Sequence, residues 1–326
     1  MTEPNLPLVL MTHTLPVEWI SSLQGKCRLL HGPVDATAFS PHLLAHVSEA
    51  HGFFTLLTIP IGAEIIAKAS QLQVVSNMAA GVDNIDIAAC TSRGIPVGNT
   101  PGVLTEGTAD LTMALLLSIA RNLPQASQDA RTGKWKTWSP TGWLGADLNG
   151  AILGIVGMGK IGQAVARRAQ GFGMRIVYHD TQPKDDISAT YLPLEELLKT
   201  SDFISLHTPL TEKTYHLLDA ARLGLLKSTA YLINTSRGPV IDPEALQHAL
   251  REGRLAGAAL DVTDPEPLPP EHPLYQLPNC LILPHIGSAT YHTLRRMAEL
   301  ACANLLAGLA GKPLPHCVNP EIYRPR

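Results

Sequence analysis

Short, continuous apolar runs recur along the chain, and helical patterns fall between them. Residues 8–11, 53–59 and 74–78 are such runs, with helical stretches near 41–50 and 63–70. Continuous rather than alternating runs predict strands covered on both faces, and their alternation with helices predicts a parallel sheet. Residues 86–93 read as a further helix, and Gly94-Ile95-Pro96-Val97 returns to a strand. Residues 1–99 are thus a βα unit of their own, without a glycine fingerprint.

Asn99-Thr100-Pro101-Gly102 punctuates the end of that strand and reads as a hinge. A long helix over 106–122 follows, with Thr105 as its cap. Leu111, Met113, Leu115, Leu116, Leu117 and Ile119 leave it almost no polar face, so it must be buried in a domain seam or a subunit interface. Residues 133–145 then hold Trp135, Trp138 and Trp143. A place in the core is the default for these rings, and anchors at an interface are the alternative.

The pattern then changes. Residues 151–156 form an apolar strand that breaks into Gly157-Met158-Gly159-Lys160-Ile161-Gly162 and opens a helix over 163–172. Gly157 permits a tight turn, Gly159 lets a pyrophosphate approach the backbone, and Gly162 lets helix and strand pack closely. The helix N-terminus, with unpaired N–H groups and a positive dipole end, faces the phosphates. A second strand, 175–179, ends on Asp180, about 20 residues past the glycines, where an acid binds a ribose 2′-hydroxyl. A purely structural glycine turn, or a non-redox protein of similar fold such as a methyltransferase, would share the loop. Further strands at 191–192, 203–207, 230–234, 258–262 and 281–283, with helices at 193–199, 218–226 and 243–252, complete the series of a doubly wound sheet. A last long helix, 290–309, is expected to pack back on the first domain.

Composition narrows the class. The chain has 326 residues, enough for about two domains, with 45% hydrophobic and 16% charged residues. A net charge of −3 without a basic cluster argues against nucleic acid. The start, Met1-Thr2-Glu3-Pro4-Asn5, has no secretory pattern, and no apolar run reaches the roughly 18 residues of a membrane span. Five scattered cysteines without Cys-x-x-Cys spacing read as reduced thiols, mostly buried, of a cytoplasmic protein. The thirteen histidines show no zinc-ligand grouping, so no metal is expected.

In such sheets ligands bind outside the carboxyl ends of the strands. His207-Thr208-Pro209, Thr235-Ser236-Arg237-Gly238, Asp261 with Glu266, and Pro284-His285-Ile286-Gly287-Ser288 all follow strands. Taken singly, Arg237 is a surface ion-pair partner, Glu266 a solvated loop acid and His285 an ordinary bonded histidine; together on one rim they make a working site. Arg holds a carboxylate and polarises a ketone, His donates the proton as hydride reaches the carbon, and Glu orients and charges the imidazole.

These motifs resemble the D-isomer-specific 2-hydroxyacid dehydrogenases over nearly the whole chain. The likeness is carried by residues 79–86 (Ala-Ala-Gly-Val-Asp-Asn-Ile-Asp), the glycine loop, Thr235-Ser236-Arg237-Gly238, Leu260-Asp261-Val262 with Glu266-Pro267, and residues 285–290. Residues 261–269, 279–290 and 304–309 are most similar to members that reduce glyoxylate and hydroxypyruvate. The resemblance implies an α/β fold of two Rossmann-like or flavodoxin-like domains. Residues 1–99 with 290–326 would bind substrate, and an inserted 100–289 would bind NAD in a doubly wound parallel sheet. It implies Arg237, Glu266 and His285 as catalytic residues, and Ala80, Gly81, Arg237 and Ser288 as contacts of a small 2-oxo or 2-hydroxy acid. The cofactor would meet Gly157, Gly159, Lys160, Ile161, Gly162, Asp180, Thr108, Thr208, Thr235, Ser236, Arg237, Asp261, His285 and Gly287, with Thr208 and Asp261 on the nicotinamide side. A homodimer through the inserted arm and helix is implied as well.

One place departs from the family's NADPH-using members, which carry Arg after the second strand. Here His179-Asp180-Thr181-Gln182 stands there, and no Arg or Lys follows until Lys184. A carboxylate repels a 2′-phosphate, so NADH is expected over NADPH. Another D-2-hydroxy acid, or phosphite, remains open as substrate. So does a non-enzymatic, corepressor-like NAD-sensing role, although the chain stops soon after the dehydrogenase core.

Overall fold

Leu8–Met11 (β1) and Gly52–Thr55 (β3) are buried at every position, as strands covered on both faces must be. The computed structural model describes residues 6–185 and 187–324. Met1–Asn5, on which the expectation about a secretory leader partly rests, lie outside the described residues. The chain divides into two compact units, residues 1–104 with 290–326, and residues 105–289.

In the first unit, β1, Arg28–His31 (β2), β3, Val74–Asn77 (β4) and Val97–Gly98 (β5) form a wholly parallel sheet in the order β2-β1-β3-β4-β5. The helices Pro41–Leu44 (α1), Ala63–Lys68 (α2) and Ile87–Ser92 (α3) are short, and Ser40 and Asp86 cap two of them through their side chains. The region read as one helix over 41–50 is α1 followed by a 3₁₀ turn at Val47–Glu49. β2, with exposed ends, has no continuous apolar run to mark it in the sequence. The closing helix of this unit, Tyr291–Leu309, packs on β3 and β4, where the Ser76 hydroxyl donates to the Ala301 carbonyl at 2.7 Å. Thr290 is its N-cap and accepts from the Thr293 N–H.

The second unit opens with Thr105–Ala120 (α4), so Thr105 begins the helix instead of capping it. Leu115 and Leu116 are fully buried, each side chain contributing about 1.5–3 kcal/mol. They join a core with the sheet of the same unit and with Lys160–Gly171. Leu123–Arg131 (α5) follows, a helix absent from the sequence reading. The expectation of a core place for the tryptophans is corrected, since Trp135 and Trp138 are 61% and 79% exposed and Trp143 is 37% exposed. Their segment follows the polar helix α5, whose small Ala126 and Ala130 line a shallow pocket with them.

The remaining elements are Ile152–Val156 (β6), Lys160–Gly171 (α6), Arg175–His179 (β7), Thr190–Tyr191 (β8), Leu194–Thr200 (α7), Phe203–Leu206 (β9), Ala220–Leu223 (α8), Tyr231–Asn234 (β10), Pro243–Arg251 (α9), Gly257–Leu260 (β11) and Cys280–Ile282 (β12). Tyr291–Leu309 is α10. The seven strands run in the order β12-β11-β10-β9-β6-β7-β8, all parallel, with the crossover on either side of β6. Such reversal of strand order opens the crevice where ligands bind.

Candidate active site

The glycine loop sits at that crossover, between β6 and α6. Gly157 has φ +97°, a conformation glycine alone adopts at no steric cost, and a Cβ there would lie 2.6 Å from the His207 carbonyl oxygen. A Cβ at Gly162 would overlap the Gly157 carbonyl, so only glycine lets α6 begin this close to the turn. A Cβ at Gly159, by contrast, would meet nothing. As N-cap, Gly159 offers no side-chain hydrogen bond, which leaves the first-turn N–H groups, from Lys160, Ile161 and Gly162, for a ligand or water. Open space in front of uncapped N–H groups suits a pyrophosphate.

Asp180 closes β7. Its carboxylate accepts from the Met158 N–H at 3.0 Å and the Thr181 N–H at 2.7 Å, and Lys184 Nζ lies 3.2 Å away. Burial works against ionisation, but these N–H donors and the ammonium outweigh it and hold the carboxyl below its ordinary value. Thr208, just after β9, has a buried hydroxyl without a partner among the described residues. An orphaned hydroxyl at a strand end is a position a polar ligand would satisfy. His207 beside it places Nε2 2.8 Å from the Ser205 hydroxyl, and burial pushes its pKa well down, which keeps it neutral.

At the end of β10, the buried Asn234 shapes the turn that carries Arg237. Its Oδ1 accepts from the Ser236 N–H and hydroxyl, at 3.0 and 2.8 Å, and its amide donates to the Arg237 carbonyl at 2.8 Å. The Arg237 guanidinium donates to the Ser236 carbonyl at 2.7 Å. A Cβ at Gly238 would overlap the Thr263 carbonyl, so the turns after β10 and β11 touch backbone to backbone. This contact brings the Arg237 turn against the segment leading to Glu266. Thr235 is tied to α4 through a 2.9 Å bond between its hydroxyl and that of Thr112, whose hydroxyl in turn donates to the Thr108 carbonyl at 2.8 Å.

Glu266 and His285 are paired directly. His285 Nδ1 lies 2.5 Å from Glu266 Oε1, and Glu266 Oε2 accepts from the Thr263 N–H at 3.3 Å. His285 has φ +54°, a left-handed conformation rare for a non-glycine residue. Asp261 holds it there. The Asp261 carbonyl accepts from the His285 N–H at 2.9 Å, and its carboxylate takes the N–H groups of Ile286 and Gly287, each at 2.7 Å. Both oxygens of Asp261, 1% exposed, are thereby engaged by the very loop that presents His285. Burial raises its carboxyl above the ordinary value in spite of these donors. Thr108 packs beside Gly287, and Ser288 follows half-buried.

In the other unit, Ala80 and Gly81 follow β4, half-buried, in a loop fixed by side-chain amides. Asn99 donates to the Ala80 carbonyl at 2.7 Å and Asn77 to the Gly81 carbonyl at 3.0 Å. The sequence pattern marks Asn99 only as part of a hinge and does not single out Asn234, Thr112 or Asn77, though Asn at a strand end is itself a turn signal. Among the described residues no group of three or more His, Cys, Asp or Glu is placed to hold a metal, and no helix is long and apolar enough to cross a membrane. All five cysteines are free; burial raises Cys90 and Cys280 to about 12 and Cys302 to about 11.

Residues 113–287 match the family model described as D-isomer specific 2-hydroxyacid dehydrogenase, NAD binding domain. A glyoxylate reductase of Korarchaeum cryptofilum is 46% identical over 325 residues, covering 98% of each chain. A crystal structure of a Thermus thermophilus protein superposes with a TM-score of 0.90 at 51% identity, covering 95% of this chain and 99% of that one. The NADPH-dependent glyoxylate/hydroxypyruvate reductase of Sinorhizobium meliloti, solved with NADP and malonate, gives 0.86 at 32% identity over 98% and 99% of the two chains.

Proposed function

Because the chain belongs to the D-isomer-specific 2-hydroxyacid dehydrogenases, we propose that it reduces glyoxylate and hydroxypyruvate with NADH and that Glu266 and His285 manage the proton. The reaction turns 2-oxo acid, NADH and a proton into 2-hydroxy acid and NAD. A bound nicotinamide dinucleotide supplies the hydride.

The observation that carries this reading is the 2.5 Å Glu266–His285 pair at the end of the loop held by Asp261. With Nδ1–H donated to the carboxylate, Nε2 is the nitrogen left to give its proton to the substrate's carbonyl oxygen. Arg237 polarises that carbonyl and shares the carboxylate, a task its planar fork suits better than an ammonium would. The N–H groups of Ala80 and Gly81, and the Ser288 side chain, are the further substrate contacts of this reading. Gly157, Gly159, Lys160, Ile161 and Gly162 receive the pyrophosphate, Asp180 the adenosine ribose, and Thr108, Thr208, Thr235, Ser236 and Gly287 line the rest of the cofactor's path. In this scheme the 105–289 unit is the cofactor domain.

The reading extends to assembly and compartment. The exposed Trp135, Trp138 and Leu144 beside α5 support a homodimer through this arm, since large apolar patches on a chain mark partner sites. Free thiols, with burial raising those of Cys27, Cys90, Cys280 and Cys302, support a reducing, cytoplasmic setting. Steady-state NADH oxidation with glyoxylate, hydroxypyruvate, pyruvate and 2-oxo-4-methylpentanoate, beside NAD reduction with phosphite, tests the function. Highest kcat/KM for glyoxylate or hydroxypyruvate is expected. Turnover of phosphite alone moves the substrate assignment, and silence on every substrate with NADH bound removes the enzymatic reading.

A further inference from the structure

A carboxylate offers about four acceptor sites, two on each oxygen. At Asp180 all four have protein donors. Oδ1 takes the Thr181 N–H at 2.7 Å and the Thr181 hydroxyl at 3.2 Å; Oδ2 takes the Met158 N–H at 3.0 Å, with Lys184 Nζ 3.2 Å away. Three of these donors are backbone groups or belong to the adjacent residue. The fourth stands at the end of a four-carbon stem and is 37% exposed.

The backbone of Lys184 is fixed even so. Its N–H donates to the hydroxyl of Tyr178 at 2.8 Å, and the Tyr178 ring is fully buried in the core under β7. The stem therefore starts from a set place, and the ammonium at its end is the one charged donor of the four. Rotation about that stem takes it off Asp180, so a ligand can displace it.

We infer that Lys184 competes with the adenosine ribose for Asp180 and supports a 2′-phosphate when one is present, so that it sets how sharply the protein separates NADH from NADPH. This rests on the reading that Asp180 meets the ribose. To bind NADH, a ribose hydroxyl must take the acceptor site that the ammonium holds, which weakens NADH. With NADPH, Asp180 repels the phosphate while the ammonium, released from the carboxylate, pairs with it. Lys184 acts against Asp180 for both cofactors and narrows the discrimination. Cofactor choice is then the property of a pair, and the acidic look of the 179–182 segment understates how near NADPH is to acceptance.

The test is equilibrium titration of the full-length protein with NADH and with NADPH, read by nicotinamide fluorescence without any substrate. Lys184→Ala should tighten NADH a few-fold and weaken NADPH roughly tenfold, the worth of one charge-assisted contact. Lys184→Met, which keeps the stem, should do the same, separating charge from packing. Asp180→Ala should weaken NADH and tighten NADPH, and the gain for NADPH should vanish in the Asp180→Ala/Lys184→Ala double variant and shrink with added salt. If both Lys184 variants leave each Kd within about twofold while Asp180→Ala shifts the ratio, the inference about Lys184 is overturned and the ribose reading stands. If Asp180→Ala leaves the ratio unchanged, the ribose reading fails, and the inference with it.

Discussion

Asp261 is a buried carboxylate that the fold uses as a fixture. Its two oxygens are taken by the N–H groups of Ile286 and Gly287, so the side chain it controls is the neighbouring His285, held at φ +54°. Asp261→Asn would set an amide N–H against one of those donors. We expect a loss of about 1–3 kcal/mol in stability together with a fall in kcat for glyoxylate larger than any rise in its KM, measurable by chemical denaturation and steady-state kinetics. Asp202 works in the opposite electrostatic sense. Burial again opposes its ionisation, but the Lys227 ammonium at 2.8 Å and the Ile152 N–H at 2.8 Å outweigh burial and hold the carboxyl below its ordinary 3.8. A depressed folded pKa means that the unfolded chain binds the proton first as pH falls. The contribution of Asp202 is therefore complete above about pH 3.8 and lost on acidification through the lower folded value. In Asp202→Asn the acid limb of stability against pH should flatten; an unchanged limb would show that the pair is not felt.

At the scale of elements, the β6–α6 junction is the most constrained piece of the chain. Since a Cβ at Gly162 overlaps the Gly157 carbonyl, Gly162→Ala must push α6 off the turn. The expected cost is about 1–3 kcal/mol of stability, with NADH binding weakened in fluorescence titration; normal affinity would mean that the loop's close packing is not what holds the cofactor. This junction was legible in the sequence because its signals are local: an apolar run, three glycines, then an acid at the next strand's end. Arg237, Glu266 and His285 were legible for a related reason, each lying just past a strand of a parallel sheet. The elements that were not legible lack such marks. β2 reads Arg-Leu-Leu-His, carries exposed ends and lies at a sheet edge, so no continuous apolar run betrays it. α5 is a polar helix, Leu-Pro-Gln-Ala-Ser-Gln-Asp-Ala-Arg, with no buried residue to give it a period. Ring size argues for burial of the tryptophans, but the neighbouring α5 offers them only small side chains, Ala126 and Ala130, and two of the rings stay largely exposed. Asn234 and Asn99 act through backbone carbonyls brought close by the turns themselves, which spacing alone does not reveal.

At the scale of the whole molecule, the described residues form two parallel sheets, ordered β2-β1-β3-β4-β5 and β12-β11-β10-β9-β6-β7-β8, each with candidate site loops after its strands. In one, amides pin the loop of Ala80 and Gly81; in the other, the glycine loop and the Glu266–His285 pair follow β6, β11 and β12. If the arm around Trp138 joins two copies, Trp138→Asp should lower the mass seen by sedimentation equilibrium from dimer to monomer, whereas an unchanged mass would move the interface elsewhere. Ligand linkage gives a second check, since NADH at about 100 times its Kd should add ~2.7 kcal/mol to the stability of the fold that binds it. The chemistry itself turns on His285, and the decisive measurement is kcat for glyoxylate reduction in His285→Ala beside the Kd for NADH. We expect a loss of roughly 10²–10⁴ in kcat, the usual worth of a positioned general acid, with NADH bound almost as in the parent protein. A variant that keeps near-parental kcat would contradict it.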